Sequence, residues 1–160
     1  MIDSGELDHF TITASLNPAT RQALASAGRP VSYPCGQRLF SEGQPAERLW
    51  LIRSGQVMLD SCVPGRGAVA VQTLGPGDLL GWSWLVAPYR WQFGARTTQA
   101  VEAIEFDAAT LIELAEADPE IGHAMTRMLL GVVLDRLQAT RARLLDLYSS
   151  PTEHADGSRR

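Results

Sequence analysis

The sequence predicts a mostly β domain with flanking helices: an antiparallel β-barrel, one helix before it and a long helix after it. Three observations carry this expectation. From Pro30 to Phe106, short β-rich runs alternate with Gly, Pro and Asp at intervals of roughly 8–12 residues. Upstream, Asn17-Pro18 places an N-cap residue before a proline at the first helical position. Downstream, Asp118-Pro119-Glu120 repeats that signal, and no proline follows until Pro151. Many short strands joined by close turns suit a sandwich or barrel, and closure removes exposed sheet edges.

Taken in order, residues 1–15 are polar and mixed and read as a flexible terminus. The first helix starts at Pro18. Gly28 is placed to end it in a left-handed conformation, with Pro30 just beyond. Arg38-Leu39-Phe40 lies between Gly36 and Gly43, and Leu49-Trp50-Leu51-Ile52 runs into Ser54-Gly55. Val57 and Leu59 alternate with Met58 and Asp60, as in a half-buried strand. Pro64-Gly65-Arg66-Gly67 is a loop, after which Val69 and Val71 share one strand face. Gly75-Pro76-Gly77-Asp78 turns the chain into an unusual segment, Gly81 to Thr98, and a last strand ends at Phe106. Asp107 is positioned to cap a helix over 108–117. The final helix, 119–148, would be about 45 Å long. Residues 149–160 read as a disordered polar tail.

The bulk properties narrow the function classes. A chain of 160 residues suits one domain, and 45% hydrophobic with 20% charged residues is ordinary for a soluble globular protein. There is no apolar run long enough to span a membrane. The start, Met1 to Glu6, lacks the basic-then-apolar pattern of a secretory signal, so the cytoplasm is expected. A net charge of -4 provides no whole-domain footprint for nucleic acid. Cys35 and Cys62 have no CxxC spacing and are too few for a thiolate metal site; reduced thiols are expected. His9, His123 and His154 are scattered, so no metal is expected. No Ser-His-Asp set, Walker-type loop or carboxylate pair suggests catalysis, and an enzyme is not expected.

Four pieces together resemble a known family: Tyr33-Pro34-x-Gly36, Leu39-Phe40-x-Glu42-Gly43, Leu49-Trp50-Leu51-Ile52-x-x-Gly55-x-Val57, and Leu74-x-x-Gly77-Asp78-x-x-Gly81. Their order is similar to that of the cyclic-nucleotide-binding domain, in particular the effector domains of the catabolite activator and fumarate–nitrate regulator superfamily. The similarity spans roughly residues 16 to 148. It implies a barrel of the double-stranded β-helix or jelly-roll type and a regulatory, ligand-sensing role. It also implies a phosphate-binding cassette starting at Gly81. In that cassette, backbone N–H groups face the cyclic phosphate, a glutamate after the glycine accepts from the ribose 2′-OH, and an arginine pairs with the phosphate.

Here the cassette departs from the family pattern. It reads Gly81-Trp82-Ser83-Trp84-Leu85-Val86-Ala87-Pro88-Tyr89-Arg90-Trp91-Gln92-Phe93. Trp82 stands where the glutamate is expected, and an indole N–H only donates. Losing a hydrogen bond to a charged group costs about 1.5–3 kcal/mol, roughly tenfold to a hundredfold in affinity. Trp84 replaces a small residue. Arg90 is read in two ways: as the phosphate arginine, or as a surface arginine stacked on Tyr89 or Trp91. Arg96 is a weaker candidate. Trp82, Trp84 and Trp91 either fill the barrel mouth or line an aromatic pocket for another small anionic ligand. No cofactor is expected with certainty; a cyclic nucleotide or another small anion is the candidate, with weak or absent binding of cyclic AMP and cyclic GMP. Thr140, in Leu137-Gln138-Ala139-Thr140, matches the stretch where relatives place a hydroxyl near the base.

The long helix carries two stripes. Leu130, Leu134, Leu137, Arg141, Leu144 and Tyr148 alternate spacings of four and three, a coiled-coil seam. Ile121, Met125, Met128 and Val132 form the other, suited to packing on the barrel. The first stripe needs a partner, so a homodimer through this helix is expected. Members of the superfamily that bind DNA carry a helix-turn-helix after this helix. Twelve residues after Tyr148 leave no room for one, so direct nucleic-acid binding is not expected.

Overall fold

Alternation along the strands sets the architecture. The computed structural model describes residues 1–149. The strands are β1 (Arg29–Tyr33), β2 (Arg38–Phe40), β3 (Arg48–Ser54), β4 (Val57–Val63), β5 (Gly67–Leu74), β6 (Leu79–Leu80), β7 (Gly94–Thr97) and β8 (Val101–Asp107). They form two antiparallel four-stranded sheets, ordered β1-β8-β3-β6 and β2-β7-β4-β5. Along β3, Trp50 and Ile52 point one way and Leu49 and Leu51 the other, and all four are buried. Trp50 faces the second sheet, where its ring stacks on Phe40 of β2. Leu49 and Leu51 face the helices, beside Leu24, Phe106, Leu111 and Leu129. The first sheet is therefore covered on both faces, which is why β3 is apolar without alternation.

The sheets form a jelly-roll sandwich rather than the closed barrel the sequence suggested. Among the described residues, no strand ladder joins one sheet to the other. The reason lies in strand length: β2 has three residues and β6 two, too few to carry pairing around the corners. Glycines at positive φ turn the chain instead. Gly55, with φ +86°, follows β3, and an added Cβ there would lie 2.0 Å from the Ala100 carbonyl oxygen.

Three helices flank the sandwich: α1 (Pro18–Ala27), α2 (Ala108–Ala117) and α3 (Pro119–Ser149). Asn17 caps α1 by accepting from the Thr20 N–H at 2.8 Å. Asp107 occupies the α2 cap position without a side-chain hydrogen bond. At the start of α3, Asp118 accepts from the Glu120 N–H at 2.9 Å. Gly28 is extended, at φ -81°, not left-handed as expected. Its constraint is space: an added Cβ would lie 2.9 Å from the Ile104 side chain.

The flexible terminus expected over residues 1–15 is instead two 3-10 turns, Ser4–His9 and Thr11–Thr13. Asp3 and Glu6 form a capping box, and Ile2, Leu7, Phe10 and Leu16 are buried against α1 and the core. Four apolar side chains spaced among polar ones hold the segment down, each contributing about 1.5–3 kcal/mol of transfer free energy. Apart from Ser149, which ends α3, the tail expected at 149–160 lies outside the described residues. No described helix is long and apolar enough to cross a membrane.

Candidate functional site

The cassette residues sit where β6 leaves the first sheet. Gly81 has φ +98°, and an added Cβ would lie 2.7 Å from the Arg48 carbonyl oxygen and 3.0 Å from the Trp91 ring. Both the backbone conformation and the close approach require glycine here. Gly81→Ala is expected to destabilise the domain by about 2 kcal/mol or more, measured by urea denaturation. Ser83–Leu85 is a single 3-10 turn, and the Trp84 Nε1–H donates to the Gly81 carbonyl at 3.1 Å. Trp84 is thus a buried brace of the turn, 3% exposed.

Trp91 packs between the sheets. Its ring stacks on Phe40 at 3.8 Å between centroids, and Phe40 stacks on Trp50 at 5.7 Å. The Trp91 backbone is held on both sides: its carbonyl accepts from the Gly43 N–H and its N–H donates to Gln44. Beside it, the space enclosed by Phe40, Leu59, Trp82, Trp91, Phe93 and Arg136 measures about 20 Å³. That holds about one water, whereas ligand pockets run about 300–1,000 Å³.

Arg90 is a surface residue. Its guanidinium donates to the Gly43 carbonyl at 2.8 Å. The chain reverses at Tyr89, with φ +58°, and Arg90 bridges Pro45. That pairing commits Arg90 to the 43–45 loop. Arg96 lies on β7, exposed, beside Gly36. Thr140 is exposed, and its hydroxyl donates back to the Arg136 carbonyl at 2.8 Å. Ser83 is half-buried and Leu85 exposed.

The cation at the cassette is instead Arg136 on α3. Its guanidinium lies 4.2 Å over the Trp82 ring and donates to the Leu79 carbonyl. Burial pushes its pKa down to about 10, partly offset by the charge of Asp78, so it remains a cation at neutral pH. A sequence signal existed. Met125, Leu129 and Val132 are the buried stripe of α3, and Arg136 continues that spacing one turn on. A charged residue at a core-facing helical position marks a cation aimed at the sheets. Arg143, two turns further, donates to the Val71 carbonyl at 2.7 Å.

A second charged cluster was missed as well. Glu105 is paired in register with Trp50 and faces the space between the sheets, 1% exposed. It accepts from Arg29, from the Tyr33 hydroxyl at 2.6 Å and from Trp50 Nε1 at 2.8 Å, with Arg48 at 3.6 Å. Burial alone would raise its pKa, but the hydrogen bonds from Tyr33, Arg29 and Trp50 and the Arg48 charge outweigh it and hold the carboxyl below its ordinary range. Near this end of the sandwich lies an open cavity of about 260 Å³, lined by Phe40, Glu47, Arg48, Trp50 and Trp91. Trp91 and Phe40 separate it from the small gap at the cassette. No cluster of three or more metal-ligating side chains occurs among the described residues.

Residues 30–118 match the sequence profile of the cyclic nucleotide-binding domain. The chain belongs to that family. It is 31% identical over 136 residues to the CRP-like cAMP-activated global transcriptional regulator of Mycobacterium tuberculosis, covering 85% of this chain and 59% of that protein. The chain thus spans about three fifths of the length of this curated relative. The catabolite activator protein of Thermus thermophilus superposes with a TM-score of 0.65 at 25% identity, covering 86% of this chain and 62% of that one. A cyclic nucleotide-binding domain from Methylobacillus flagellatus shares the fold, with a TM-score of 0.80 at 17% identity over 93% and 88% of the two chains. The domain is thus a cyclic nucleotide-binding domain with homologues among catabolite-activator-type regulators.

The α3 stripes divide as their spacing predicts. Met125 and Val132 are buried and Ile121 and Met128 half-buried. Leu130, Leu134, Leu137, Leu144 and Tyr148 are 49% to 83% exposed, and Arg141 is exposed.

Proposed function

We propose that this domain is a non-enzymatic regulatory module whose nucleotide pocket is closed by its own side chains, so that cyclic AMP and cyclic GMP bind weakly or not at all. The observation that carries this is the gap of about 20 Å³ left at the cassette. Trp82 occupies the position at which the family places a carboxylate. Arg136, the cation that faces it, rests on the Trp82 ring rather than on an acid. A nucleotide in the relatives' position would have to displace that ring and lose its cation–π contact. Tryptophan fluorescence titrated with cyclic AMP and cyclic GMP is expected to stay flat to about 1 mM, an affinity limit of about -4.1 kcal/mol. Saturable binding in the micromolar range would overturn this reading. A small anion that binds by swinging Trp82 outward would leave Arg136 as its counter-ion, and would bias α3 because Arg136 lies on that helix.

A second reading, a ligand-free interaction dimer, is favoured by the exposed leucine stripe on α3. Leu130, Leu134, Leu137, Arg141, Leu144 and Tyr148 would pair with the same residues of a second copy. Leu134→Glu is expected to shift the mass in solution from dimer to monomer, read by light scattering. A dimer that survives the substitution refutes this seam.

A further inference from the structure

A groove runs along α3 beside the 82–92 segment, apart from the small gap at Trp91. Its first segment lies between α2, α3 and the 84–89 loop, with a volume of about 790 Å³. Its second lies between the 82–88 loop and α3, with a volume of about 660 Å³. Leu85, Thr126 and Leu129 line both, so the two are continuous. The groove follows α3 from Gly122 to Val133, about 16 Å or three helical turns. Its floor is apolar: Trp84, Leu111, Met125 and Leu129 are buried there, while Leu85 and Ile112 remain exposed along its sides.

The charges on this groove have one sign. Glu47, Asp107 and Glu116 line the first segment, and no arginine, lysine or histidine lines either. The carboxylates of Glu47 and Glu116 have no hydrogen-bond or ion-pair partner among the described residues, while the Glu47 carbonyl accepts from the Ala108 N–H; Asp107 has Arg29 at 4.0 Å. A carboxylate rim repels fatty acids and anionic lipid headgroups. An apolar floor three turns long suits an amphipathic helix laid in a groove. We propose that this groove docks a basic amphipathic helix of a partner protein, its apolar face on Leu85 and Leu129 and its cations toward Glu47, Asp107 and Glu116.

The probe is a fluorescein-labelled leucine/lysine peptide of about 18 residues, long enough to be helical, with a leucine/glutamate counterpart as control. Anisotropy at low salt is expected to show saturable binding of the lysine peptide and none of the glutamate peptide. Binding should weaken about tenfold in the double variant Glu47→Lys/Glu116→Lys, with a shallower salt dependence. Gln138→Ala, at an exposed position on the opposite face of α3, should bind like wild type. Circular dichroism melts verify folding; should the lysine variant melt early, Glu47→Gln/Glu116→Gln should still weaken binding severalfold. Equal binding by both charge variants, or loss of binding in Gln138→Ala, overturns the proposal. A fall in mass of the peptide-free Glu47→Lys/Glu116→Lys variant would assign the groove to a second copy, and also overturns it.

Discussion

Trp91→Ala is expected to lower the unfolding free energy by about 3–5 kcal/mol. The indole is 6% exposed, stacks on Phe40 at 3.8 Å and separates the gap at the cassette from the larger cavity beside Arg48. Truncation removes the stacking contact and the buried area, and joins the two spaces behind an apolar wall. The neighbours cannot collapse freely into that space: Phe40 is stacked on Trp50, and Gly81 already lies close against the Arg48 carbonyl. A cavity of that shape should accept free indole, so added indole is expected to raise the variant's thermal midpoint and leave wild type unchanged. A loss below about 1 kcal/mol would show that the aromatic stack is not a rigid part of the core.

Glu105→Ala is the second large effect, about 3–5 kcal/mol in urea denaturation at neutral pH. The carboxylate is 1% exposed and is the shared acceptor of Arg29, Tyr33 and Trp50. Its removal leaves the Trp50 N–H only the Tyr33 hydroxyl, at 3.1 Å, takes the short ion pair from Arg29, which keeps Asp107 at 4.0 Å, and takes the carboxylate at 3.6 Å from Arg48. The acid sensitivity has a definite sign. The folded carboxyl titrates below its ordinary value of 4.5. Ionised Glu105 therefore contributes stability that is complete above that value and is lost as pH falls through the folded pKa. Wild type should lose stability on acidification below about pH 4.5 more steeply than Glu105→Gln. Parallel pH profiles for the two proteins would refute the linkage.

Local rules made much of the fold legible. Asn17 before Pro18 supplies an acceptor for an orphan helix N–H wherever the helix packs. Gly55 and Gly81 mark corners because an L side chain is strained there and the backbone approaches closely. The two stripes of α3 follow from helical periodicity, and so does the inward place of Arg136, read off the Met125–Leu129–Val132 spacing. Glu105 was legible in the same manner, as an acid in step with Val101 and Ala103 on the inward side of β8. Both were passed over because a charged residue at a core-facing position reads as an exception until its partners are known. Glu105 draws those partners from β1 and β3, and Arg136 draws its own from β6 and the cassette. All are distant in sequence.

The cassette shows the limit most plainly. Its indoles are plain in the sequence, and with them the loss of an acceptor at position 82. Whether they line a pocket or fill it depended on what stood opposite. Phe40 from β2 and Arg136 from α3 line the gap of about 20 Å³, and Arg90 donates to the Gly43 carbonyl. Residue type and spacing alone determined the run of short strands, the Asn17 and Asp118 caps and the Gly55 and Gly81 corners, since those depend on neighbours a few positions away. Only the tertiary structure decided which cation faces the cassette, that the sheets stay open, and how little volume remains. Volume and charge pairing are set by side chains that converge from separate elements, and no single segment encodes their sum.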